Sequence, residues 1–334
     1  MANVAWETMS KQRLRKEELV ELIFTLFWEA AHDRPTSSIQ GIVLPLDQIR
    51  EELAGRSGTP RQNSKWIYTQ VRKYEERLGV RLFEKAKLDG EQEVLKVTPR
   101  LLTFVQKRHL HQAEKIRVAN GVADLIERQL SRPGERTRLF LGAGTTIAHL
   151  AEVLRDRAAE SGQAFEVHTH NLGVIDALSH PNSTGEPIDL HVAPGRFDPV
   201  TYTILGARPG PIPEIDFDLV VQGTSAVFAE SVYIESQEEL PRKAAILREL
   251  PGPKLLALTL HEFTPQEPRG MEGYGRLEDY DFVVIPQVKR PVTNQQLGMN
   301  YLLSGSSPFE AGISGWHYQI LTRRRVAAAT SRLL

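Results

Sequence analysis

Residues Gly142-Ala143-Gly144-Thr145-Thr146 follow an apolar run and open a helical one. Glycines let the backbone approach a ligand closely, and the first N–H groups of a helix, joined by two hydroxyls, form an anion cradle. The loop is neither a Gly-Lys-Ser/Thr phosphate loop nor a full dinucleotide fingerprint, since the third glycine is missing. Thr145 and Thr146 would serve equally as helix caps. Further along, Glu239 and Lys243 stand four residues apart on a helical stretch. Such a pair is either a carboxylate base with its charge partner or a surface ion pair. His168 and His170, two apart at a strand end, suit a buried, hydrogen-bonded imidazole better than a metal site. His109 and His111 point to different faces of a helix, so no metal is expected there, and no motif calls for a cofactor.

A second group of residues has different chemistry. Between residues 59 and 87, eight Lys or Arg face three Glu, a local charge of +5 in a chain whose net charge is −1. Arg61, Gln62, Asn63, Lys65, Tyr68, Thr69, Arg72 and Lys73 lie in one helical segment that begins near Pro60. Cations neutralise phosphates and release counterions, while amide and hydroxyl groups read base edges. A solvated amphipathic helix would carry similar charge, so the bias points to DNA only through the elements around it.

Those elements can be read from periodicity. Apolar residues at helical spacing predict a helix over 11–31, a short one over 45–54 and a third over 59–78, stopped by Gly79. Two extended runs around Asp89-Gly90 predict a β-hairpin. Helix–helix–helix–hairpin is the order of a winged helix-turn-helix. From residue 100 to about 130 the pattern is helical with few breakers. Its seam of Leu101, Leu102, Phe104, Val105, Ile116, Val118, Val122, Leu125 and Ile126 is expected to pair two protomers. Arg132-Pro133-Gly134-Glu135 then punctuates the chain. Beyond it, short apolar runs (RLFLG, FEVHTH, IDLHVAPG, FDLVVQGTS, KLLALTL, YDFVVIP) alternate with helical stretches. This predicts an open, mostly parallel α/β sheet. The expected organisation is therefore 1–99 as a DNA-binding domain, 100–132 as a linker and dimerisation helix, and 133–334 as an α/β sensing domain. Residues 287–334 carry no readable pattern.

Composition narrows the classes. The 334 residues are 41% hydrophobic and 25% charged, and none is cysteine. Disulfides, thiolate zinc sites and thiol catalysis are thereby excluded, and a reducing cytoplasm is the expected compartment. No apolar stretch reaches the ~20 residues of a membrane helix, and the first residues lack the pattern of a signal peptide.

Two resemblances sharpen the reading. The run Arg72-Lys73-Tyr74-Glu75-Glu76-Arg77-Leu78-Gly79-Val80-Arg81-Leu82-Phe83-Glu84-Lys85, followed by Val97-Thr98-Pro99, resembles the recognition-helix end and wing of LysR-type regulators. That implies a wing core of Leu78, Val80, Leu82 and Phe83. It covers only about 30 residues, and the alanine-rich second helix of that family is missing. The ordered loops of 138–286 resemble the sensor domain of DeoR-type regulators, which shares its fold with ribose-5-phosphate isomerase and coenzyme A transferases. This resemblance implies an effector site of Gly144, Thr145 and Thr146, then Asn171 with His170 beside it, Gly195 and Arg196, Gly223, Thr224 and Ser225, and finally Glu239 and Lys243. The acidic and serine residues of that family's first loop are replaced by Gly142 and Ala143, and its Leu-Gly-Gly strand end reads Ala193-Pro194-Gly195-Arg196. A plain sugar phosphate is therefore not the expected ligand.

The expectation is a ligand-responsive transcriptional regulator, a repressor, that binds double-stranded DNA and a small anionic metabolite, phosphorylated ones included, as a homodimer or higher homo-oligomer. The alternative is a sugar-phosphate isomerase or transferase carrying a fused DNA-binding domain.

Overall fold

The computed structural model describes residues 16–32, 42–57, 62–78, 81–88, 92–97, 104–132, 134–179, 188–199, 201–206, 215–264, 267–268, 271–287, 301–305 and 307–324. Arg61, Pro60, Gly79, Asp89-Gly90, Leu101 and Leu102 lie outside the described residues. The chain forms two compact units, Met1–Leu102 and Thr103–Leu334. No helix is long and apolar enough to cross a membrane, among the described residues.

In the first unit α1 (Lys16–His32) is followed by β1 (Val43–Pro45), α2 (Leu46–Ser57), α3 (Ser64–Leu78), β2 (Phe83–Leu88) and β3 (Gln92–Val97). The three helices and hairpin appear in the expected order. The strand β1, too short to show a period, is an addition; it pairs antiparallel with β3 and gives the order β1-β3-β2. Helix periodicity turns Leu19, Ile23, Phe24 and Phe27 of α1 inward, where they meet Ile67 and Val71 of α3 and Phe83 of β2 in the buried core. Phe83 packs between Phe24 and Phe27, at centroid distances of 4.6 and 5.7 Å.

The second unit starts with α4 (Phe104–His109) and α5 (Gln112–Leu125), which ends in one π-helical turn, Ile126–Leu130. Next come β4 (Thr137–Leu141), α6 (Thr145–Ser161), β5 (Phe165–Thr169), α7 (Leu172–Leu178), β6 (Asp189–Val192), and the hairpin β7 (Arg196–Asp198) and β8 (Thr203–Leu205). They are followed by β9 (Leu219–Gln222), β10 (Ala226–Phe228), β11 (Ser231–Ile234), α8 (Leu240–Glu249), β12 (Lys254–Ala257), β13 (Glu272–Arg276) and β14 (Phe282–Pro286). Two strands, β15 (Phe309–Ser314) and β16 (Tyr318–Arg323), complete the series.

The main sheet has the order β15-β16-β14-β12-β9-β4-β5-β6. Its strands from β14 to β6 are all parallel, while β16 and β15 add an antiparallel edge from the segment that had no readable pattern. The six apolar runs become six strands; β9, β12 and β14 are buried along their whole length, whereas the edge strand β6 is half-buried to exposed. Leu139, Leu141, Val167, Leu219, Val221, Leu255 and Val284 face α5, α6 and α7 on one side. Phe140, Val220, Leu256 and Val283 supply the opposite core.

The segment 100–132, expected as a linker and dimerisation helix or as a helix packed on its own domain, is divided in the structure. It breaks at His111, which adopts a left-handed conformation with φ 51°. Its seam is spent on its own unit: Val118, Val122, Leu125 and Ile126 are fully buried in the core under the sheet, and only Ile116 of that seam is exposed, among its described side chains. Close approach explains the packing. A Cβ placed on Gly121 would lie 2.8 Å from the Tyr318 ring and 2.9 Å from Val284 Cγ1. Gly121→Val should therefore destabilise the chain by roughly 1–3 kcal/mol through overpacking, seen as a lower urea midpoint at unchanged slope.

Candidate functional site

The chain winds from β4 to β5 and β6 in one direction, then returns to place β9 on the other side of β4. Open α/β sheets bind ligands outside the carboxyl ends of their strands, at such a reversal. Here the loop after β4 meets the loop after β9: Gly142 N donates to Val221 O at 2.9 Å. A Cβ on Gly142 would sit 3.0 Å from that same oxygen, so the residue that replaces an acidic group in the resembling family is also the one that lets the loops touch.

Asn171 organises this region. It is fully buried, caps α7 by accepting from Gly173 N at 2.9 Å, and donates to Gly142 O and Gly144 O at 3.1 and 3.0 Å. Its amide is thus consumed in holding the first loop. Gly144 is the N-cap of α6 with φ 120°, and no side chain caps that helix. Thr146 is buried and Thr145 half-buried at the same helix start.

The loop after β9 is held equally firmly. Thr224 Oγ1 donates to Tyr233 O at 2.7 Å, and Ser225 Oγ accepts from Glu235 N at 3.2 Å. Gly223 O accepts from Lys243 Nζ and from Tyr274 Oη. Lys243 is buried, as are its neighbours Arg242 and Glu239 and, after β5, His170. Of these four, three carry buried polar atoms with no hydrogen-bond partner: both ring nitrogens of His170, Oε1 of Glu239, and Nε and Nη2 of Arg242. The remaining Arg242 nitrogen, Nη1, donates to Ile204 O. Orphaned buried groups are costly and need an explanation. Desolvation is the main cause of each shift: it drives the His170 imidazole well below 6.5, with Arg242 and Lys243 adding to the effect, and it raises the Glu239 carboxyl despite the pull of Lys243. Two buried cations beside an uncharged imidazole suit an anion.

Not every residue the resemblance implied joins this cluster. Gly195 lies in the connection between β6 and β7, where a Cβ would fall 2.1 Å from Leu205 O. Arg196 is exposed and pairs with Glu238 at 2.5 Å, so its charge is already spent on the surface. His168 is not beside His170; it stacks on His191 of β6 at 4.3 Å and bonds Glu166 through Nε2 at 2.9 Å. The residue that sequence reasoning missed is Arg242.

In the first unit, α3 divides its polar residues between two duties. Asn63 caps the helix, accepting from Trp66 N at 2.7 Å. Thr69 Oγ1 returns to Lys65 O at 2.7 Å. Arg72 lies over the Tyr68 ring at 4.8 Å, donates through Nε to the Tyr68 hydroxyl at 2.7 Å, and pairs with Glu75 at 2.9 Å. Glu75 is buried and accepts from the Leu82 and Phe83 N–H groups at 2.8 and 2.9 Å, tying the helix to the hairpin. Lys65 and Lys73 are exposed, and Gln62 is half-buried. On the hairpin, Lys85 and Lys96 are paired with Glu93 and Glu84, whereas Lys87 is exposed.

Fold and cluster together define the second unit as an open α/β domain with a buried polar centre at the carboxyl ends of its strands. Residues 110–251 match the family model of the DeoR C terminal sensor domain. The ordered loops had pointed to this family. No curated protein matches the chain. Among solved structures, a ribose 5-phosphate isomerase A from Methanocaldococcus jannaschii aligns at 13% identity and TM-score 0.29, covering 44% of this chain and 52% of that one. A D-ribose-5-phosphate isomerase in complex with phospho-erythronic acid aligns at 11% and 0.33, over 64% and 79%. The ribose 5-phosphate isomerase of Plasmodium falciparum aligns at 8% and 0.30, over 66% and 85%. The chain thus spans about half the length of the first of these. Likenesses this distant carry no argument about activity.

Proposed function

We propose that the chain is a ligand-responsive transcriptional regulator that binds DNA through its first unit and a small anion through its second. The single observation that carries the anion is Arg242, a fully buried guanidinium whose Nε–Nη2 edge has no partner. That edge is the fork that takes a carboxylate or phosphate through two parallel hydrogen bonds. Lys243, the uncapped start of α6 and the hydroxyls of Thr145 and Thr146 supply further donors. The ligand is therefore a small metabolite with a carboxylate or phosphate.

The DNA-binding reading rests on the basic α3, its exposed Lys65 and Lys73, and the hairpin with Lys87. It makes the first unit a winged helix-turn-helix, with α3 entering the major groove. Gln62, Tyr68 and Thr69 lie near that helix start for base edges, while Asn63 and Arg72 contribute through the structure they hold. The chain acts as a homodimer in the cytoplasm, as two half-sites require. Its pairing surface excludes the buried face of α5. Binding the anion represses or releases transcription only in so far as the anion prefers one arrangement of the dimer.

Electrophoretic shifts with the DNA upstream of the gene test this. Lys65→Ala with Lys73→Ala should weaken binding on every sequence and lower the salt slope by about two phosphate contacts. An unchanged salt slope would sink the DNA reading. A second reading has one observation in its favour: Glu239, a buried carboxyl held toward its neutral form beside Lys243, is equipped for proton transfer. Turnover of sugar phosphates by the wild-type chain, lost in Lys243→Ala, would support it.

A further inference from the structure

His111 is a puzzle that neither function absorbs. It breaks α4 from α5 with φ 51°, a strained conformation for a bulky residue, and its buried Nε2 has no hydrogen-bond partner. The ring lies against that of His261, at a centroid distance of 4.0 Å and an angle of 12°. His261 belongs to the short 3-10 turn Leu260–Glu262 after β12. One helical turn beyond His111, Glu114 aims its carboxylate at the same turn, and its Oε2 accepts from Leu260 N at 3.1 Å. One ligand atom from each of His111, Glu114 and His261 lies within 4.8 Å of the others.

From this geometry we infer that His111, Glu114 and His261 form a binding site for one divalent transition ion, zinc above all. Two imidazoles and one carboxylate are a three-ligand zinc set that leaves a fourth position open. The imidazoles favour zinc, cobalt or nickel over magnesium or calcium. Zinc–nitrogen bonds of about 2.0–2.1 Å require the donors to close up, which rotation of the two stacked rings provides. The second shell is in place: His261 Nδ1 is hydrogen-bonded to Thr259 Oγ1 at 2.6 Å, directing Nε2 to the ion. Lys115, the cation beside the site, donates its Nζ to Lys107 O, and the buried Glu262 accepts from Thr259 N at 2.7 Å, which fixes the turn that carries His261. The ion would relieve the orphaned nitrogen and pin the α4–α5 break to the loop after β12. His111 and His261 are so far apart in sequence that helix spacing alone gave no sign of the pair.

The same protein has a second cluster of this type, Glu166, His168 and His191, in which His168 already bonds Glu166 and His191 pairs with Asp189, and it serves as the control. The test is titration of the untagged, chelator-treated full chain with Co²⁺ and Zn²⁺, following the visible bands of bound cobalt and the metal content after gel filtration. The expected result is one ion per chain. His261→Gln, a substitution at a half-buried residue, should weaken uptake by more than about 100-fold and Thr259→Val by about 10–100-fold. His191→Ala should leave uptake unchanged. Absence of stoichiometric uptake by the wild-type chain overturns the proposal whatever the variants do. Uptake that persists in His261→Gln, or that is lost in His191→Ala, also overturns it.

Discussion

Arg242→Met is expected to leave the ligand-free chain as stable as the wild type or more stable, while abolishing its response to anions. A buried guanidinium with two unpaired nitrogens is a standing cost, and replacing buried charge by a well-packed apolar group of similar length is often neutral or stabilising by about 1–4 kcal/mol. The lost bond to Ile204 O offsets only part of that gain. Wild-type chain should show a rise in thermal midpoint with carboxylate or phosphate metabolites, about 2.7 kcal/mol at a ligand concentration one hundred times Kd. The methionine variant should show none. This pattern separates a binding arginine from a structural one, because a structural arginine would be missed on heating. A variant that melts far below the wild type, and still shifts with the same anions, would remove Arg242 from the site.

The second large effect concerns pH. His170 is neutral in the folded chain because burial, with Arg242 and Lys243 nearby, holds its pKa well below 6.5. The unfolded chain binds one proton more than the folded chain between that depressed value and 6.5. Unfolding free energy therefore falls as pH falls below about 6.5, by about 1.4 kcal/mol per pH unit from this residue. Above 6.5 the contribution is flat. Urea titrations of wild type and His170→Leu from pH 8 to 5 isolate it: the difference between the two curves should be constant above 6.5, and below it the wild type should lose stability relative to the variant as pH falls. Parallel curves would mean that His170 titrates alike in both states. Ligand binding should move the other way, since an anion beside His170 favours the charged ring. Affinity for the anion should thus rise on acidification even as the free chain weakens.

Much of this architecture was legible because central strands such as β9, β12 and β14 are buried along their length and leave apolar runs, and all six runs that were read became strands. The antiparallel edge was not, since β15 is mostly exposed and follows no simple alternation. Loop positions were legible through their glycines, yet their roles were not. Asn171 and the residues of the β9 loop are spent in building the site, a division of labour that residue types do not reveal. Arg242 was missed although its signal was present. Leu240-Pro241-Arg242-Lys243 puts two cations in the first turn of α8, where the helix dipole disfavours them. Cations retained against the dipole are held there by something else, here the buried polar centre of the domain.

Asn171 and Gly142 have one more consequence, in time rather than space. The centre around Arg242 draws on loops after β4, β5 and β9 and on α8, none of which is adjacent in the chain. As the ribosome releases the polypeptide, the first loop emerges with neither its β9 partner nor its arginine. On the proposed function, no anion is held until α8 has folded back on the sheet, so an anion bound there would add its binding energy only to chains that have finished assembling this domain. Scarcity of that anion would then lower the amount of the protein that survives surveillance.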